Sequence, residues 1–308
     1  AVLLAAWALA LAVLGVSLAF VVHDRGEHLR DEREHATLVA RVLEDHATRS
    51  VDTVSLALAA LAEAVAAAPA APAAPAGPAP GGGVHAGIAA AVAQTARALP
   101  TLRGVAVLDE QGLVLASTEE DLAGHLVGLS PLGPLPAAGA ERLGLFVPQR
   151  SLAALRVDAA PGTAGPSPPG VGFLPLIRRA HAASGRGVLL LGLVNPDALA
   201  NHQQQVLADL GDSALLATLD GSVLAATASS RVLPGQSLQA LPVFAQYLPQ
   251  REHATYIGVG AGGPEQVVAY QATPSFTLSP SSGYVVDGVN GTCGGSIAGN
   301  TYTTATVA

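Results

Sequence analysis

The run Ala1–Val22 carries no charged side chain, and only Gly15, Ser17 and the indole nitrogen of Trp7 soften it. At about 1.5 Å per residue a helix over it extends roughly 33 Å, enough to cross a hydrocarbon core of about 30 Å. A helix satisfies its own backbone hydrogen bonds, so such a segment is stable in lipid. A secretory signal has a shorter apolar core, and no small-x-small cleavage pattern precedes the charged stretch that follows. The sequence therefore predicts a transmembrane helix over 1–22, and the rest of the chain is expected to be held at a membrane.

Composition narrows the function classes. A formal net charge of -8 argues against a nucleic-acid surface, which needs clustered Lys and Arg. The juxtamembrane arginines are interleaved with acids, so no polybasic lipid patch forms. Cys293 is the only cysteine, which excludes an internal disulfide framework and a cysteine-based zinc site. There is no methionine and the chain begins at alanine, so further residues are expected before Ala1.

Beyond the apolar run, His23–His35 is dense in charge of both signs, as for a helix leaving the membrane into water. Val51, Val54, Leu58, Leu61 and Val65 then alternate steps of three and four, one apolar helical seam, and Leu43 and Ala47 extend it backwards. Residues 23–67 are predicted to be a juxtamembrane stalk helix. Its polar lower half either stalks outward or pairs with a second copy, since the heptad pattern spans only about two repeats. Residues 68–83 form an Ala/Pro/Gly linker, where recurrent proline removes helix donors. Pro161–Gly172 is a second loop of this kind.

Between these breaks, a helix over His85–Leu99 ends at Pro100. Two β runs then flank a turn, Gly104–Asp109 and Leu113–Thr118. The pattern returns at Ala214–Asp220 and Val223–Thr227: L-D, a turn with glycine, then V-L-A-S-T against V-L-A-A-T. Further strands follow each hairpin, at Leu143–Val147, Val171–Ile177 and Gly187–Val194 in the first copy and at Ala254–Val259 and Glu265–Thr273 in the second. The chain thus reads as an internal duplication of an α+β unit with antiparallel sheets. Asn195 is placed to cap the helix between the copies, with Pro196 at its first position.

An apolar anchor, a long helix and two hairpin-bearing modules together resemble the double Cache sensor, a pair of PAS-like domains outside the bacterial membrane. The resemblance rests on Arg49–Ala62, Leu99–Thr118 (LPTLRGVAVLDEQGLVLAST), Phe173–Arg179 (FLPLIRR) and Gly187–Leu199 (GVLLLGLVNPDAL). It covers about Leu29–Thr273. It implies a membrane-distal module over 84–197, a membrane-proximal one over 198–273, and a single-pass location in the bacterial inner membrane with the bulk of the chain extracytoplasmic. It also implies a small-molecule ligand, an organic acid or amino acid, and an output such as a diguanylate cyclase or histidine kinase that these residues do not contain. The chain departs from the family after the first hairpin, where Leu129–Pro136 replaces an Asp-Tyr or Asp-Arg-Tyr segment. Residues 274–308 form a divergent β-rich tail that resembles part of a Gly-rich bacterial cell-surface repeat, with a junction expected near Ala272–Pro274. An adhesive envelope protein is the alternative function.

The candidate ligand-binding residues are Phe146, Arg150, Phe173 and Arg178. An arginine reaching into a PAS-like pocket can clamp a carboxylate with two parallel hydrogen bonds; the plainer alternative is a solvated strand end. Asp109 and Asp220 are better explained as turn residues. His23, His28, His35 and His46 fit a solvated stalk face better than a metal site, with pH response as a further option. Gly258–Gly263 lies between two β runs with no helix after it, so a hairpin loop is expected rather than a phosphate cradle. No nucleophile elbow, phosphate loop or zinc-protease motif occurs, and no catalytic residue, metal or cofactor is expected.

Overall fold

A single helix, α1 (Val2–Ala67), runs unbroken for 66 residues, about 99 Å at the standard rise. The computed structural model describes residues 2–68, 84–119, 121–157, 171–208, 211–261, 263, 265–272, 275–277, 295–298 and 301–304. The expected anchor and stalk are therefore one rod. No proline interrupts the sequence before Pro69, and threonine and serine hydroxyls along the rod return to the helix backbone, as Thr37 does to the Arg33 carbonyl and Ser50 to that of His46. The predicted seam is the buried one: Leu43, Ala47, Val54, Leu58, Leu61 and Val65 are all occluded. Nearer the N-terminus Leu14, Val16, Leu18 and Phe20 are exposed, and α1 is long and apolar enough there to cross a membrane.

The upper half of α1 and a second helix, α2 (Val84–Ala98), cover one face of a five-stranded antiparallel sheet. Its strands are β1 (Leu102–Asp109), β2 (Val114–Ser117), β3 (Glu141–Leu143), β4 (Leu174–His181) and β5 (Gly187–Val194), in the order β2-β1-β5-β4-β3. Side chains alternate across a strand, and the alternation sorts the core into two. Val105, Val107, Leu174, Leu176, Val188 and Leu190 meet Val54, Leu58, Leu61 and Val92 on the helix side. Ala106, Leu108, Ile177, Leu189, Leu191 and Leu193 lie on the other side, under Leu122, Val127, Leu132 and Leu152 from the loops. β5 is apolar on both faces because it is central, with β1 on one side and β4 on the other. Gly192 lets α1 approach it: a Cβ there would lie 3.1 Å from a Val54 methyl.

The predicted helix between the copies is α3 (Pro196–Val206), where the Asn195 side chain accepts from the Asp197 amide and Pro196 occupies the first turn. The second hairpin, β6 (Leu215–Ala217) and β7 (Val223–Ala226), follows. Its backbone repeats the first hairpin bond for bond. The Val114 amide donates to the His125 carbonyl as Val223 does to Gln236, each at 2.9 Å. Gly124 returns to Val114 as Gly235 does to Val223, and Val127 to Gly112 as Leu238 does to Gly221. A threonine clasps each hairpin, half-buried at Thr118 and buried at Thr227. Thr118 Oγ1 accepts from the Val105 amide at 3.0 Å, and Thr227 Oγ1 from the Ala214 amide at 3.0 Å.

This correspondence revises one detail of the sequence alignment. The offset between the turn glycines is 221 − 112 = 109, which sets Asp109 against Thr218 and not against Asp220. The bonding agrees, since Leu113 donates to Asp109 Oδ1 where Ser222 donates to Thr218 Oγ1. Asp220 accepts from the Thr218 hydroxyl, which holds its carboxyl below the ordinary range. Both aspartates serve their turns.

The two copies differ in how their sheets close. The first forms five paired strands; in the second, β6–β7 and the hairpin β8 (His253–Val259)–β9 (Glu265–Gln271) are separate two-stranded sheets. β6 has only three residues and offers few ladder bonds, while β9 packs along α1. Gly260 falls in the β8–β9 loop, as expected for a hairpin. In the tail, β10 (Ser275–Thr277), β11 (Gly295–Ala298) and β12 (Thr301–Thr304) form a three-stranded sheet of order β10-β12-β11. Cys293, nearly all of the linker over 68–83 and most of Pro161–Gly172 lie outside the described residues.

Candidate functional site

The sheet face turned away from α1 is where the loops after β2 and β3 fold back, so it is the natural place to look for a pocket. Among the described residues it is filled. Leu122, Val127, Leu132, Val147, Leu152 and Phe173 are fully or almost fully buried over the sheet. The covering loop is itself well fastened: Glu119 accepts from the Leu152 and Ala153 amides at 2.7 and 2.9 Å, so a carboxylate closes the first turn of a short helix, Leu152–Leu155. Sequence reasoning did not single out Glu119, because its partners lie more than thirty positions away.

The four candidate residues do not converge. Phe173 is fully buried in this loop-side core, held by paired backbone bonds to Val147 at 2.9 and 3.0 Å. Phe146, half-buried, packs instead with the helix-side core. Its ring lies against Gly172 and also against Gly235 of the second hairpin, where an added Cβ would fall 2.7 Å from Phe146 Cδ1. Phe146 thus joins the two copies. Arg150 is exposed.

Arg178 has the parity of Leu174 and Leu176 on β4, so it belongs to the helix-side face at the β3 edge. There its guanidinium meets Glu141 at 3.2 Å, from the directly paired position on β3. Arg179, on the opposite face, is bound to Glu110, with Nε at 2.9 Å from the carboxylate. Arg103 pairs with Asp197 at 2.6 Å, tying β1 to the start of α3. Each of these three arginines already holds a carboxylate. A carboxylate ligand at Arg178 would have to displace Glu141.

The second copy carries its own aromatic cluster. Tyr247 and Tyr256 stack at 4.3 Å, and the Tyr270 hydroxyl donates to the Arg251 carbonyl at 3.2 Å. Burial pushes the Tyr256 hydroxyl above its ordinary pKa, with Tyr247 adding to the effect. A shallow open depression adjoins, lined by Gln250, Arg251, Glu252 and His253. On the stalk, His23 lies near Glu27 and His28 near Asp24, one turn apart in each case. Among the described residues no group of three or more His, Cys, Asp or Glu is placed to hold a metal.

No family model matches the sequence, and no curated protein matches it either. Solved structures do. The extracellular domain of rpHK1S-Z16, a protein assigned as a histidine kinase, is similar over 79% of this chain and 90% of its own, with a TM-score of 0.59 and 17% identity. The ligand-binding domain of the Campylobacter jejuni chemoreceptor Tlp3, solved with 4-methylisoleucine, covers 72% of this chain and 80% of its own, with a TM-score of 0.46 and 12% identity. The first likeness shows that this chain shares the fold of that extracellular domain.

Proposed function

We propose that the chain is the extracytoplasmic, small-ligand-sensing region of a membrane-bound bacterial signal-transduction protein. The observation that carries this reading is mechanical: the helix whose apolar N-terminal part can span a membrane is the helix that packs into the five-stranded sheet. Any rearrangement of the sheet therefore acts directly on the membrane span. The shared fold with the extracellular domain of a protein assigned as a histidine kinase supports the same reading. In it, residues 84–197 form the membrane-distal module and 198–273 the membrane-proximal one, 1–22 anchor in the inner membrane, and 274–308 stand apart as a tail. Leu38, Val42 and Leu56, exposed on α1, favour pairing of two stalks.

The ligand is an organic acid or amino acid, and Arg178 is its candidate anchor, with Glu141 as the carboxylate it replaces. Binding transmits a signal only through differential affinity for two arrangements of α1. The test is a thermal-shift screen of the full chain in lipid nanodiscs against amino acids and organic acids, followed by Arg178→Ala. A ligand at a hundred times its Kd adds about 2.7 kcal/mol to stability, a rise of several degrees for a chain of this size. Absence of any stabilising metabolite would remove the ligand-sensing reading; a binding response that survives Arg178→Ala would remove Arg178 from it.

A further inference from the structure

α1 and α3 touch through a pair of imidazoles. His46 on α1 and His202 on α3 stack with ring centroids 3.4 Å apart and planes within 13°. The site is enclosed on its flanks: Leu43 and Ala47 beside His46 are buried, as are Leu199 and Gln203 beside His202. The Gln203 and Gln204 side-chain oxygens nearby are buried without a hydrogen bond among the described residues. The acids beside His46 on α1 have other partners as well. Asp45 is engaged by Arg49 at 2.7 Å, and Glu44 accepts from Thr48. The other ionisable side chain of α3, Asp197, is held by Arg103. β7, which packs on α3, carries no ionisable group; β9 and β8, which pack on α1, carry Glu265, Tyr270, His253 and Tyr256.

Stacking at this distance suits two neutral rings or one charged ring. It does not suit two cations, which repel at close range in partly desolvated surroundings. The position of the pair gives the repulsion a consequence. α3 leaves β5 through the Asn195 cap and leads straight to the β6–β7 hairpin, so the stack fixes the connector between the two copies to the membrane rod.

We propose that His46 and His202 form a proton-operated latch: closed while at most one imidazole is charged, and released when acid protonates both, freeing α3 from α1. The inputs of the molecule then include the pH of the compartment around it, independently of any organic ligand. Burial, and then His202, depress the pKa of His46 below its ordinary value of 6.5, with Asp45 opposing. The sign follows. The unfolded or released state takes up a proton more readily than the latched one, so the contact is strongest above that ordinary value and weakens as pH falls through it.

Hydrogen exchange of the full chain in nanodiscs, corrected for intrinsic rates, reads the latch directly. Between pH 7.5 and 5.5 the α3 amides of the wild type should lose protection by about tenfold, the change one linked proton gives per unit of pH, while the β1–β5 sheet holds its protection. The double variant His46→Phe with His202→Phe keeps stacked rings without charge and should show no α3 change. His202→Gln, which removes the second charge and leaves the burial of His46, should show a clearly smaller change than the wild type and serves if the double variant does not fold. Loss of α3 protection that is absent in the wild type, or equally large in these variants, would overturn the latch.

Discussion

Phe173→Ala separates a structural aromatic from a ligand-lining one. The ring is fully buried in the loop-side core among Leu108, Leu132, Leu152 and Ile177. Its backbone is pinned to Val147 by two hydrogen bonds of 2.9 and 3.0 Å, and the loop above is anchored by Glu119. The surroundings therefore cannot collapse into the space left by the ring. Loss of a buried phenylalanine under such conditions costs about 3–5 kcal/mol, the transfer term plus the cavity. For a chain of this size each kcal/mol lowers Tm by roughly 2–4 °C, so the fall should be roughly 6–20 °C. The assay is thermal unfolding of the full chain in nanodiscs without added metabolite, followed by near-ultraviolet circular dichroism. Phe173→Leu, which keeps most of the apolar volume, should recover much of the loss. If Phe173→Ala unfolds within about 2 °C of the wild type, the ring borders an open pocket and the closed loop-side core described above is wrong.

Thr118→Val and Thr227→Val remove equivalent clasps, each leaving a backbone amide without its hydroxyl partner; each should cost about 1–3 kcal/mol by chemical denaturation, and a cost confined to one would contradict the equivalence of the hairpins. Tyr256 is buried and its hydroxyl has no well-formed hydrogen bond among the described residues, so Tyr256→Phe should be neutral or stabilising at pH 7. Because burial raises its pKa above the ordinary value of 10.0, the folded state resists ionisation and stability is lost as pH rises past that ordinary value. Tyr256→Phe should flatten the alkaline side of a Tm–pH curve, and an unchanged slope would reject the assignment.

Local pattern carried much of the fold. The spacing of Val54, Leu58, Leu61 and Val65 announced the packed seam of α1, and the L-D-turn-glycine echo announced a repeated hairpin, because both signals are written in residues a few positions apart. The echo misled at one point: matching letters aligned Asp109 with Asp220, whereas the turn bonding aligns it with Thr218. A hydroxyl and a carboxylate accept the same amide bond, so the chemistry is conserved between the copies while the letter is not. Candidate site residues were less legible. Arg178 reads as a free strand-end cation until β3 brings Glu141 opposite it. Phe146 and Phe173 read alike, yet the path of the chain between Gly144 and Gly172 sends one ring toward the second hairpin and the other into the loop-side core.

The amino-acid sequence by itself determined the apolar rod, the positions of the turns and the order of helices and strands, since hydrophobic period and turn chemistry act over a few residues and need no distant partner. The tertiary structure alone decided which charges are neutralised, which face of the sheet is sealed, and that His46 meets His202. Those outcomes depend on strand register and helix docking between distant segments, where a contact exists only once the whole chain has closed around it.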